Sequence, residues 1–466
     1  MVRDVAPAPA PSPTEPATRR RTRTGAPLGV RRRRWRGLAL VLVAALGVGT
    51  GAAATASAAK RSPGTLTTTV SALHGKRTTS LSSGPVITVD QARRPLVATT
   101  SGKVLVVARY TKKGKLDKKF AKHGIARITV RKDLSVSDIT VDARGRLVVV
   151  GGSQANAGAR SKLVLLRLTK KGKLDKKFAE HGIAMLKHAS ATAVAIDAAG
   201  RLVVTGRSTK PSAALVSRWD ARGRLDAGFG TRGISRLSVY GSQENAYIGT
   251  GAGESLIDAT GRIVVQLGVF RGIGQPSETG VARFTAGGAL DTSFGENGAG
   301  GYTSGTLGLQ VGGAIGTGIA ALGGGGYAVT GTAHGQYFLQ RYDAEGMTDG
   351  DPVLTDLTKG FLEGGNAMAA DPQGRVISVG DSHPRIGVLR YRSDGSLDTG
   401  FGHGGALRPK NAPGTQSMTA TDVTVDRAGR VLVAGVATPK KGYTDRVFVM
   451  RLKKNGKPDK SWRTRG

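Results

Sequence analysis

The 466-residue chain contains no cysteine, so it can form no disulfide, present no thiolate nucleophile and build no cysteine metal site. Any metal would have to be held by oxygen or histidine. The seven histidines (His74, His123, His181, His188, His334, His383 and His403) show no ligand spacing of the His-Glu-x-x-His kind, and no Asp-x-Asp-x-Asp-Gly calcium loop is present. A metal or other cofactor is therefore not expected. Aromatic residues are only 5% of the chain, which leaves few base-stacking platforms and disfavours nucleic acid as a partner. Acidic residues are also scarce, 32 against 69 lysines and arginines, for a formal charge of +37. Such an excess draws a protein to anionic polymers or surfaces.

Long apolar runs are missing as well. The longest, Leu38 to Gly49, falls short of the roughly 20 residues that span a bilayer. It follows an arginine-rich stretch, with twin arginines before Trp35, and precedes small residues ending in Ala56-Ser57-Ala58. A basic segment, a short apolar core and an Ala-x-Ala end resemble a secretory signal peptide, with cleavage expected after Ala58 and no transmembrane segment left behind. Sec and Tat export are not distinguished by these residues. Removing residues 1–58, which carry ten arginines against Asp4 and Glu15, leaves a charge of about +29. Residues 59–80 read as a linker with a strand, and 81–466 as the folded body.

Glycine is abundant at 70 residues, and it punctuates short β-branched runs, the composition of many strands joined by tight turns. Those glycines fall in a repeat. The phrase "GKLDKKF" at Gly114 returns at Gly172, and again in altered form at Gly223, Gly288, Gly346, Gly395 and Gly456. Its aspartates span 342 residues over six intervals, a mean of about 57. A second phrase lies upstream, as in "VDARGRLVVVGG" from Val141 and "VDRAGRVLVAGV" from Val425. In the fifth copy Leu322 stands where that phrase has its aspartate. Aspartate there accepts from nearby backbone N–H groups while glycine supplies the positive φ that closes a hairpin.

Between the two phrases each unit has an apolar strand ending in arginine plus a large apolar residue. From that arginine to the phrase's aspartate the offset is always eight: Arg109 and Asp117, Arg167 and Asp175, Arg218 and Asp226, Arg283 and Asp291, Arg341 and Asp349, Arg390 and Asp398, Arg451 and Asp459. A charge present in every unit points to architecture, because a catalytic site in a ring needs asymmetry. The pairs are expected to be structural clasps rather than seven ligand sites.

Each unit reads as four short strands, in the second Ser137 to Asp142, Arg146 to Gly152, Lys162 to Leu168 and Ile183 to His188. The phrase aspartate is placed to cap a short helical turn. Four-stranded units repeated radially make a β-propeller, which protects its sheet edges by closing on itself. The seventh unit has no fourth strand of its own, and Thr65 to Val70 precedes the first unit as an extra strand. The expected fold is thus an all-β, seven-bladed propeller closed by an N-terminal strand in the last blade.

Gly-x-Leu-Asp-x-x-Phe-Gly-x-x-Gly, with the Asp-x-x-Gly-Arg phrase and the Arg-aromatic strand, resembles the delta-60 repeat of secreted and surface bacterial proteins, over residues 81 to 466. The resemblance implies a propeller-like fold and export, and no established activity. The unit around Gly346 departs from the pattern, lacking the leucine and phenylalanine.

No catalytic residue is assigned. There is no Gly-x-Ser-x-Gly elbow, and "GGAIGTGIAALGGGG" (Gly312 to Gly326) lacks the Lys-Ser/Thr of a phosphate loop. That stretch, with Ser238 to Ser255 and Leu354 to Asn366, breaks the repeat symmetry and is the expected binding face. The charge points to a binding scaffold on anionic envelope polymer or a surface protein. The alternative is an extracellular propeller hydrolase or lyase using carboxylates such as Asp351 and Glu363.

Overall fold

The computed structural model describes residues 65–69, 81, 83–130, 134–153, 161–238, 249–270, 278–295, 306–308, 314–358, 363–441 and 445–462. These form seven four-stranded antiparallel sheets, with no helix among the described residues. In blade two the strands are Leu134–Val141, Leu147–Ser153, Lys162–Leu168 and Ile183–Lys187, paired in chain order. Residues 1–58, expected from sequence to be a signal peptide, lie outside the described residues.

The first strand of each blade contacts the first strand of the next, and that of blade seven, Thr415–Val425, contacts that of blade one, Val86–Val89. This cycle makes the fold a seven-bladed propeller whose first strands line the axis. Blade seven takes its fourth strand from the other end of the chain: Thr65–Thr69 pairs antiparallel with Arg446–Leu452, Thr65 opposite Met450.

The core is not central. It is divided into seven layers, one between each pair of blades, because neighbouring residues on a strand face opposite sides. Val148 and Val150 pack toward blade three, whereas Leu147 and Val149 pack toward blade one. Both faces of every sheet are covered, which is why the second strands read as near-continuous valine and leucine. The seam between blades seven and one has such a layer as well, with Ile87, Val106, Leu432, Val449 and Trp462.

Two glycines show how closely the repeat is tied to this packing. The first strand of blade two bulges between Val136 and Asp138, and a Cβ at Gly151 would lie 2.0 Å from the Ser135 carbonyl oxygen. Gly172, at φ +80°, lies against the Phe120 ring of blade one, 2.7 Å from where its Cβ would be.

The Lys-rich phrase forms a single turn capped by its aspartate and ending at the phenylalanine, followed by a second turn. Asp117 accepts from the Lys119 N–H two residues on at 3.0 Å, and the Phe120 N–H donates to the Asp117 carbonyl. The chain then reverses through positive φ at Ala121 and His123, and the Gly124 N–H closes this second turn by donating to the Phe120 carbonyl at 2.8 Å. Because strands alternate in direction, these phrases and the Asp-x-x-Gly turns share one end of the ring. The hairpins between second and third strands occupy the other end.

Candidate functional site

The clasp residues come together in pairs. Arg109 Nε lies 2.9 Å from Asp117 Oδ2, Arg167 Nε 2.9 Å from Asp175, Arg218 Nε 2.8 Å from Asp226 and Arg283 Nε 2.7 Å from Asp291. Arg341 Nη1 is 2.6 Å from Asp349, Arg390 Nη2 2.8 Å from Asp398, and Arg451 Nη2 2.8 Å from Asp459. Each arginine also donates through Nη1 to a backbone carbonyl of the next blade: Arg109 to Lys170, Arg167 to Ala221, Arg218 to Ala286, Arg283 to Ala344, Arg341 to Ser393 and Arg390 to Lys454. Arg451 donates to Lys112 of blade one at 2.7 Å, so the links run right around the circle.

Six of the guanidinium groups also stack on an aromatic ring eleven residues on, from Phe120 under Arg109 at 4.6 Å to Trp462 under Arg451 at 4.5 Å. Burial, with a second arginine close by, pulls Arg109, Arg167, Arg390 and Arg451 below the ordinary arginine range, while the paired aspartate opposes that shift. The second arginine comes from the Asp-x-x-Gly-Arg turn. Arg94 Nη1 is 3.2 Å from Asp117 Oδ2 and Arg375 Nη1 3.1 Å from Asp398 Oδ2.

Blade five departs as its sequence does. With Leu322 and Gly326 replacing the turn's aspartate and arginine, and Pro352 replacing the aromatic, Asp349 is 49% exposed and Arg341 carries only its single pair. The blade still has four strands. In every blade the arginine is thus engaged both with its aspartate and with a backbone carbonyl of the following blade.

A second constellation escapes the repeat phrases. Four residues before the turn aspartate, the axial strands carry Val86, Asp138, Ala193, Glu254, Gly318, Ala367 and Asp422, so three blades out of seven place an acid there. Each carboxylate reaches to the next blade. Asp138 Oδ2 accepts from the Val194 N–H at 2.8 Å, Asp422 Oδ2 from the Ile87 N–H at 2.6 Å, and Glu254 Oε2 from the Ile319 N–H at 3.4 Å. Burial pushes Asp138 up to about 7. Burial and then the charge of Asp138 push Asp422 up to about 8. Glu254 is raised well above the carboxylate range by burial and by both aspartates. Carboxyls that hold their protons near neutral pH can donate them. The sequence signal that finds them is the break in periodicity at one column of the repeat.

Glu363 and Asp351 have different surroundings. Glu363 is buried and accepts from the Leu357 N–H, the Thr358 hydroxyl and the Ser382 hydroxyl, whereas Asp351 is exposed. His123 and His181 stand at the left-handed turn position of their phrases, φ 55° and 53°. His188 and His334 also have positive φ, His383 precedes Pro384, and His403 sits in the phrase of blade six. His74 lies outside the described residues. Among the described residues no group of three or more His, Asp or Glu side chains could hold a metal ion.

The three symmetry-breaking segments lie partly outside the described residues. Their described portions reach into the axial strands Gly249–Ile257, Ile315–Ala321 and Glu363–Ala370 of blades four to six. Small residues suit that wall, since a Cβ at Gly318 would stand 2.8 Å from the Met368 nitrogen of blade six.

A family model described as "Domain of unknown function (DUF5122) beta-propeller" matches residues 259–294 and 372–401, within blades four and six. No curated protein matches the chain in sequence. Among solved structures, the polysaccharide lyase Uly1 is similar at 10% identity, covering 79% of this chain and 89% of the lyase, with a TM-score of 0.48. The Dos1 propeller is similar at 11% identity, 80% and 93% coverage and a TM-score of 0.46. A calcium-binding regucalcin from Agrobacterium tumefaciens is similar at 13%, 71% and 94%, with a TM-score of 0.39. At such identities and scores nothing about ligand or activity passes from them to this chain. The chain is a seven-bladed β-propeller whose fourth and sixth repeats match a β-propeller family of unknown function.

Proposed function

We propose that the protein is an exported, non-enzymatic β-propeller scaffold that associates with anionic polymers of the cell envelope, and that its repeat is of the delta-60 type. The signal-like N-terminus supports export to the surface or the envelope. The seven Arg–Asp pairs act in this reading as clasps, each holding its own phrase against the following blade.

The observation that carries the reading is the division of charge. The repeated arginines and aspartates neutralise one another, whereas lysines such as Lys118, Lys119, Lys176 and Lys177 are exposed. Among the described residues no lysine takes part in an ion pair. The uncompensated charge therefore faces solvent, where it can be met by an anionic polymer.

The test is co-sedimentation of the mature chain with envelope preparations, and binding to DNA, over a salt series. Binding to envelope polymer that weakens steeply with salt is expected. Failure to bind at low salt, or tighter binding to DNA, would overturn the reading.

A second reading, a propeller hydrolase or lyase, is favoured by Asp138, Glu254 and Asp422 at the axis. In that reading Asp138→Asn and Asp422→Asn would abolish cleavage of an extracellular polymer while leaving its binding intact. A chain that releases no fragments from envelope polymer would sink it.

A further inference from the structure

The lysines of the phrase face are unevenly distributed. The residue whose carbonyl accepts the arginine of the preceding blade is Lys454 in blade seven, Lys112 in blade one and Lys170 in blade two. In blades three to six the same position is Ala221, Ala286, Ala344 and Ser393. Each of the three lysines has a lysine neighbour, Lys453, Lys113 or Lys171, and all six are exposed. Lysine pairs thus stand at three consecutive seams, in blades that are consecutive only because the ring closes. Opposite them, the phrase of blade five offers Asp343, Glu345, Asp349 and Asp351 and no cation between Asp343 and Asp351.

We propose that this arc over blades seven, one and two is the seat of a linear phosphate-linked polymer that carries no nucleobases, which crosses the closure seam from Lys453 and Lys454 to Lys112 and Lys113. The proposal rests on the envelope-polymer reading above and gives it a place and a ligand class. Three features favour a phosphate chain. Lysine ammonium groups bind phosphate as mobile point charges, and the clasp arginines of these three blades, whose planar forks could hold phosphate or carboxylate bidentately, are buried and leave lysine as the exposed cation of these phrases. The aromatic residues beneath the arc, Phe120, Phe178 and Trp462, are buried under guanidinium groups, so bases would find nothing to stack on. A curved row of lysine pairs at successive seams follows a chain, and the acidic sector opposite repels one that strays across the axis.

The probe is long-chain inorganic polyphosphate, with anionic phospholipid vesicles and DNA as comparators, titrated over a salt series. Two variants of equal charge are compared: Lys112→Gln, Lys113→Gln, Lys453→Gln and Lys454→Gln together on the arc, and Lys103→Gln, Lys210→Gln, Lys440→Gln and Lys441→Gln together on the hairpins of the opposite end. The arc variant is expected to lose at least about tenfold in polyphosphate affinity at low salt and about three to four units of salt slope, roughly one per lost contact. The opposite-end variant should bind as the unaltered chain does. Equal losses in both variants would overturn the arc while leaving the scaffold reading standing. An unaltered chain that ignores polyphosphate and envelope polymer alike would defeat both, and preference for vesicles or DNA would replace the polymer by that partner.

Discussion

Removing the carboxylate of Asp226 should strand a cation. Arg218, 5% exposed, holds Asp226 at 2.8 Å, donates to the Ala286 carbonyl of blade four and stacks 4.7 Å above Phe229. In Asp226→Ala the guanidinium keeps its carbonyl and its ring but loses its counter-charge. Breaking a buried pair from one side costs ~3–5 kcal/mol. Asp226 is 22% exposed and a second arginine, Arg201, reaches it at 3.5 Å, so solvent softens the loss toward the lower end, about 3 kcal/mol. Arg218→Met, which retains the apolar stem, removes the charge along with the inter-blade hydrogen bond and the stacking. The double variant should cost less than the sum of the two, with a coupling of ~1–3 kcal/mol, because the stranded cation is gone. Urea midpoints at neutral pH provide the measurement. Unchanged midpoints for Asp226→Ala or Arg218→Met, or strict additivity in the double variant, would refute the clasp.

The axial carboxylates predict the opposite pH dependence from a salt-bridged aspartate. Asp422 keeps its proton up to about 8 in the folded protein and ionises near 3.8 when unfolded, so the stability it permits in acid is lost as pH rises from about 4 to about 8. Asp422→Asn should therefore be increasingly stabilising, relative to the parent, across that window and level beyond it, with a ceiling of ~5 kcal/mol; a midpoint difference that does not change with pH would contradict this. Gly151→Ala forces a methyl into the Ser135 carbonyl and should cost about 3 kcal/mol or leave the protein unfolded on expression. If it melts like the parent, the bulge packing is misread. Deleting Thr65–Thr69 removes the partner strand of Arg446–Leu452 and should expose blade seven to limited proteolysis before any other blade; uniform resistance would show that the strand is dispensable.

Much of the architecture is written in periodic residues, and periodicity survives in sequence. The arginine eight before each aspartate, the aromatic after it and the unit-less strand at Thr65 are enough to count seven blades and to close them. What cannot be read this way is whatever lies in the backbone or in departures from the period. The carbonyl of Lys112 as the acceptor for Arg451 is invisible because any residue has a carbonyl. Asp138, Glu254 and Asp422 share one column of the repeat with Val86, Ala193, Gly318 and Ala367, and a reading that follows what recurs passes over a column that does not. The short turn that Asp117 caps ends at Phe120 as its phrase suggests, but the left-handed residues Ala121 and His123 that reverse the chain after it are not glycines and carry no sequence signal for that conformation.

The strand that completes blade seven is among the earliest parts of the fold to be synthesised, and its partner is nearly the last. Thr65 and Met450 are roughly 385 residues apart, and bringing such distant ends together costs on the order of 5 kcal/mol in chain entropy. That cost is deferred until blade seven exists. Six sheets can assemble from local contacts while the opening segment waits unpaired, and the final zippering, with its large sequence separation, is the step expected to set the pace of maturation.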